Sequence, residues 1–170
     1  MSTEPTGRIS TDGDRSVLTI TREFRAPIED VWASVTESER LGRWIGTFTG
    51  DPASGRVAFL MTAEGATEPG EMEIRECDPP RVLRVTTHFG EEHWHLDVVL
   101  EEQDGVTTLT FSQPGIDPVA AESVGPGWEY YLDRLVAAET GGDVSAIDFE
   151  RDYYPAMLEH YRDQARPAQR

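Results

Sequence analysis

Apolar and polar residues alternate along much of this chain, and the alternation breaks wherever turn-forming residues cluster. In Val17–Phe24, Leu18, Ile20 and Phe24 share one face while Thr19, Thr21 and Glu23 share the other, which predicts a strand from Ser16. Ala26-Pro27 ends it. Proline then stands where a helix can begin, and residues 28–36 carry Val31, Trp32 and Val35 at helical spacing. A second short helical piece, 37–43, leads into Trp44. Strand signals follow at 45–49, 56–62, 70–76, 81–88, 92–101 and 106–112. The gaps between them are short and rich in Gly, Pro and Asp, as in Asp78-Pro79-Pro80 and Gln103-Asp104-Gly105. Such gaps fit antiparallel hairpins, because a parallel crossover needs a dozen or more residues.

Val57, Phe59 and Met61 point one way, as do Met72 and Ile74, Leu83 and Val85, Trp94, Leu96, Val98 and Leu100, and Leu109 and Phe111. Glu71, Glu73, Arg84, Thr86, His93, His95, Asp97, Thr108 and Thr110 point the other way. A sheet with one apolar face needs one cover. Residues 119–140 supply it, with Trp128, Leu132 and Leu135 as an apolar stripe and Gly141-Gly142 as its end. Gly125-Pro126-Gly127 interrupts the early part, so the firm helix is expected to start near Pro126.

These elements predict an α+β fold: a curved antiparallel sheet of about seven strands wrapped around a long C-terminal helix, with two short helices after the first strand. Residues 1–15 hold almost nothing apolar and read as a flexible arm, 16–141 as the domain, and 142–170 as a partly helical extension. In that extension Tyr153, Tyr154, Met157 and Tyr161 can cover a cavity, dock on a sheet edge or pair two subunits into a homodimer. Space between a sheet and one helix is a natural ligand cavity. Trp44, Phe48, Met61, Met72, Trp94, Trp128, Tyr131 and Leu135 are its expected lining, and the same residues also serve as plain core.

Charge narrows the partners. The net charge is −17, from 32 acidic and 15 basic residues. All the basic residues are arginine, so lysine Schiff-base chemistry and a P-loop lysine are excluded. A field this negative disfavours nucleic acid and anionic membrane surfaces. Cys77 is the single cysteine, which suits a reducing compartment, and a cytoplasmic location without membrane insertion is expected.

Chemistry-bearing clusters are few. His93, His95 and Asp97 share one strand face, the spacing a metal site would use, but Trp94, Leu96 and Val98 claim the buried side. Cys77 reads as an incidental thiol, and neither a nucleophile elbow nor a dinucleotide loop appears. Neither a metal nor a cofactor is expected.

Five segments carry a family resemblance. They are Phe24–Trp32 with Ala26-Pro27 and Val31-Trp32; Thr36-Glu37 with Leu41-Gly42-Arg43-Trp44; Gly70–Leu83 with Asp78-Pro79-Pro80; Gly105–Thr110; and Gly127–Leu135 with Gly127-Trp128. In this order they resemble the START-like superfamily, and within it the branch named after the activator of Hsp90 ATPase. The resemblance covers about residues 16–140 and implies a helix-grip fold with a cavity. It does not select an activity, because the superfamily hosts lipid carriers, polyketide cyclases, hormone receptors and co-chaperone domains. By likeness to its cyclases, Glu73, Glu76, His88, Tyr130 and Tyr131 are candidates for acid–base work. The leading expectation is a carrier or sensor for a small hydrophobic, lipid-like or aromatic ligand. A cyclase or hydrolase and a chaperone ATPase-regulating module are the alternatives.

Overall fold

A computed structural model describes residues 4–12, 15–89, 92–117 and 119–165. The strands are β1 (Arg8–Asp12), β2 (Arg15–Phe24), β3 (Thr47–Thr49), β4 (Arg56–Leu60), β5 (Gly70–Asp78), β6 (Val82–Phe89), β7 (Glu92–Gln103) and β8 (Val106–Ile116). The helices are α1 (Ile28–Thr36), α2 (Ser38–Leu41), α3 (Ala121–Thr140), α4 (Phe149–Asp152) and α5 (Leu158–Ala165). All eight strands form one curved antiparallel sheet in the order β1-β2-β8-β7-β6-β5-β4-β3. From β3 to β8 it is a simple meander, as the short turns require. The helices α1 and α2 carry the chain from β2, beside β8, to β3 at the far edge.

The inward face is the one the alternation marks. Leu18, Ile20, Leu100, Leu109 and Leu135 are fully buried between sheet and helix. In α1, Ile28, Val31 and Val35 turn to the same core. Burying each such side chain contributes roughly 1.5–3 kcal/mol.

Three features depart from expectation. Arg8–Asp12, expected within a flexible arm, pair with β2 in register from Arg8 opposite Thr19 to Asp12 opposite Arg15, which makes the sheet eight strands wide. A strand at a sheet edge is held by backbone hydrogen bonds, so a polar sequence can form one. Helix α3 begins at Ala121, before the Gly-Pro-Gly interruption rather than after it. The two glycines differ in what they meet. A Cβ on Gly125 would lie 2.5 Å from the Tyr161 ring, whereas one on Gly127 would meet nothing within 4 Å. Finally, the C-terminal extension packs into the domain: Tyr153, Met157 and Tyr161 are all buried, against α3 and close to β1.

A polar cluster holds these terminal pieces. Arg22 belongs by parity to the inward face of β2, where it meets Glu129 of α3 at 2.8 Å and Asp133 at 2.9 Å. Glu129 is fully buried. It accepts from the Thr6 and Gly7 amides at 2.7 and 3.2 Å, from the Thr6 hydroxyl at 2.8 Å and from the Tyr161 hydroxyl at 2.6 Å. Asp133 accepts from Tyr153 at 2.6 Å. Burial alone would push the Glu129 carboxyl up, but the hydrogen bonds from Tyr161, Arg22 and Thr6 outweigh it and hold the carboxyl below its ordinary value. Burial, reinforced by the carboxylate, raises the Tyr161 phenol, so it stays a donor.

Candidate functional site

A cavity of about 400 Å³ lies between the sheet and the N-terminal half of α3. Such volumes accept drug-sized molecules, about 300–1,000 Å³. Its floor is a row across the sheet. Met72 of β5 stands opposite Thr87 of β6, which stands opposite Trp94 of β7. Leu96 lies beside this row, Ile45 and Phe59 close one side, and Val124, Gly127, Trp128 and Tyr131 of α3 form the roof. The outer side is formed by Met61 and Glu64, in the short turn after β4, and by Gly70 and Glu71 at the start of β5. Glu64 and Glu71 are exposed, whereas Thr87 and Leu96 are buried, so the carboxylates mark the mouth and the threonine the interior.

Its polar groups are few and mostly paired. The Trp128 indole donates to the buried Gln113 side chain at 2.9 Å, which fixes the ring against Phe111 at a centroid distance of 4.5 Å. Tyr131 donates to the Glu64 carboxylate at 2.5 Å and so ties the turn after β4 to α3. Burial and that carboxylate push the Tyr131 phenol well above the ordinary tyrosine range. Glu71 pairs with Arg56 at 3.0 Å on the open side. Thr87 differs from all of these. It is 5% exposed, and its hydroxyl oxygen is the one buried side-chain polar atom without a hydrogen-bond partner among the described residues.

Met61, Met72, Trp94, Trp128 and Tyr131, five of the expected lining residues, lie on the cavity wall. Trp44, Phe48 and Leu135 do not. Trp44 is buried behind the wall, where its indole donates to the Ser34 carbonyl at 2.9 Å, and its neighbour Ile45 takes the lining position. Phe48 sits half-buried on β3, where its amide donates to the Ser38 hydroxyl at 2.9 Å. Leu135 lies one turn beyond Tyr131, past the end of the cavity, in fully packed core.

The lining also includes residues outside the expected set. Phe59 and Leu96 follow from the same alternation as Met61 and Trp94. Thr87 continues the inward series Leu83, Val85, but its hydroxyl hides it from a search for apolar residues. Glu64 carries no periodic signal, and the alternation assigns Glu71 to the outer face. They reach the cavity because the turn after β4 and the start of β5 form its rim.

The histidines lie elsewhere. His93 and His95 are exposed on the outer sheet face. His93 faces His88 with their Nδ1 atoms 2.5 Å apart, and His95 Nδ1 is 2.9 Å from the Thr86 hydroxyl. Asp97 is taken by Arg75 and Arg84, each at 3.0 Å. Among the described residues no three metal-binding side chains converge. Of the acid–base candidates, Glu76 pairs with Arg84 at 2.9 Å, Glu73 lies 3.8 Å from His88, and Tyr130 packs on Phe149 and Tyr153. Only Tyr131 touches the cavity. Cys77 is exposed. Among the described residues no helix is long and apolar enough to cross a membrane.

Comparison with known proteins agrees with this architecture. The crystal structure of CalU16 from Micromonospora echinospora superposes with a TM-score of 0.66 at 22% identity, covering 95% of this chain and 92% of that one. A conserved protein of unknown function from Enterococcus faecalis, EF2215, gives a TM-score of 0.70 at 18% identity, covering 93% and 89%. DynU16 gives 0.58 at 19% identity over 74% of this chain and 48% of its own. At such identities the likeness is one of fold. No curated protein matches the sequence. The profile of one family matches residues 25–139, the span from the end of β2 to the last turn of α3. On that match the chain belongs to the activator of Hsp90 ATPase homolog 1-like family.

Proposed function

We propose that this protein binds a small hydrophobic molecule between the sheet and α3, as a carrier or sensor in the cytoplasm. The observation that carries the reading is the cavity itself. Methionine, tryptophan and tyrosine side chains line about 400 Å³ beneath a helix whose Gly127 leaves open space where a side chain would stand. Close-packed interiors leave few voids larger than a water molecule, so an apolar space of this size is a feature of function rather than of packing. The single exposed cysteine suits a reducing compartment.

Native mass spectrometry of the purified protein, followed by organic extraction, tests the reading. A stoichiometric apolar molecule supports it. Substituting Gly127→Leu supplies the control, because its side chain enters open space and fills the cavity. The variant is expected to fold and to lose the bound molecule. An empty wild-type protein whose melting temperature ignores a panel of apolar ligands would overturn the proposal.

An enzyme reading has one foothold, the Tyr131–Glu64 hydrogen bond on the cavity wall. DynU16 is described as a protein of the dynemicin biosynthetic locus, which makes a biosynthetic enzyme activity a class to assay. If Tyr131 moves a proton, Tyr131→Phe abolishes turnover while ligand affinity stays within a few-fold of wild type. The chaperone reading rests on the family description alone.

A further inference from the structure

Resting on the ligand-binding reading, we infer that the cavity selects uncharged apolar molecules carrying one hydroxyl or carbonyl, which Thr87 receives, and turns away carboxylates such as fatty acids. Two observations support this. The first is the unpartnered hydroxyl. The other buried polar side chains on the inward face have partners: Thr107 donates to the Ala26 carbonyl at 2.7 Å, Gln113 accepts from Trp128, and Glu129 is held on several sides. A buried hydroxyl without a partner is unfavourable, and native structures keep such a group where something else supplies the bond. Thr87 lies mid-row between Met72 and Trp94, on the wall of the cavity. A hydroxyl both donates and accepts, so an alcohol, a phenol or a ketone satisfies it equally.

The second observation is the sign of the charge. Among the described residues the ionisable ones on the wall are Glu64, Glu71 and Tyr131, with no arginine or histidine. Arginine is the usual partner of a bound carboxylate. Two arginines on elements that form the wall, Arg56 of β4 and Arg134 of α3, are already used. Arg56 pairs with Glu71 outside the wall. Arg134 donates to the Trp44 carbonyl at 2.8 Å and lies over the Tyr130 ring, 5.3 Å from its centroid. A ligand carboxylate would therefore lose its water, meet the Glu64 carboxylate at the mouth and find no cation on the wall among the described residues. The net charge of −17 acts in the same direction from a distance.

Displacement of Nile red, an uncharged apolar dye whose fluorescence reports its surroundings, tests this with ligands of one size. 2-Naphthol, 2-methylnaphthalene and 2-naphthoate differ only at the substituent. At neutral pH 2-naphthol is expected to displace the dye best, with 2-naphthoate at least about tenfold weaker. Glu64→Gln narrows the gap between 2-naphthol and 2-naphthoate by several-fold. Thr87→Val, which keeps the shape, brings 2-naphthol and 2-methylnaphthalene toward equal affinity. Displacement by 2-naphthoate as strong as by 2-naphthol overturns the charge selection, and an unchanged preference for 2-naphthol in Thr87→Val overturns the role of Thr87; either outcome leaves ligand binding standing. Failure of the wild-type protein to bind Nile red at all overturns the ligand-binding reading and this inference together.

Discussion

The two faces of α3 solve opposite problems. Toward the termini, Glu129 and Asp133 accept from Arg22, Thr6, Gly7, Tyr153 and Tyr161, and Gly125 lets the Tyr161 ring lie against the helix backbone. Among the described residues no buried polar side-chain atom there lacks a partner. Toward the sheet, Trp128, Tyr131 and Gly127 look onto an open volume whose wall includes Thr87, the residue whose buried hydroxyl has no partner. The helix is thus anchored by its polar side and free to leave its apolar side unfilled. A cavity weakens a core by the contacts it forgoes, so the clamp and the cavity belong together.

The comparison can be broken first at its strong end. Glu129→Ala leaves Arg22 short of one partner and four terminal donors without their acceptor, and is expected to lower stability by about 3–5 kcal/mol in urea unfolding. The same site sets an acid limit. Because the folded Glu129 carboxyl lies below its ordinary value of 4.5, its contribution is complete above that pH and is lost as pH falls through the folded value. Melting temperature followed from pH 7 to pH 3 should drop more steeply for wild type than for Glu129→Gln; parallel curves would remove Glu129 as the acid-labile group. Gly125→Ala drives a methyl into the Tyr161 ring and is expected to cost about 1–3 kcal/mol by thermal unfolding.

At the open face the signs reverse. Gly127→Ala puts a methyl into empty space within a helix and is expected to raise stability by about 1 kcal/mol. Thr87→Val removes an unsatisfied buried hydroxyl and should stabilise the unliganded protein by about 1 kcal/mol, measured by chemical unfolding. A loss of stability at both positions would mean that the face is packed as tightly as the other, and the contrast would fail.

Much of this layout was legible in the alternation. The meander β3 to β8 and its inward series from Val57 to Phe111 follow from period-two patterning and turn chemistry alone, because register in a one-sided sheet is dictated by which residues must leave water. Trp94 and Trp128 could be placed at the cavity for the same reason. The errors share a cause. Backbone pairing of β1 needs no apolar residue, so its sequence is silent. Leu135 and Trp44 have the composition of a lining, but whether an inward residue meets a partner or a void depends on where the helix stops covering the sheet.

By itself, then, the sequence determined the fold class, the antiparallel order, the buried face and the absence of lysine chemistry, since these depend on local periodicity and composition. Only the tertiary structure decided that Arg22, an arginine on an apolar face, meets Glu129, that both chain ends join the core, and that Thr87 and Glu64 border one cavity. Those are meetings of residues far apart in the chain, created by the crossing of helix and sheet, and no local pattern encodes them.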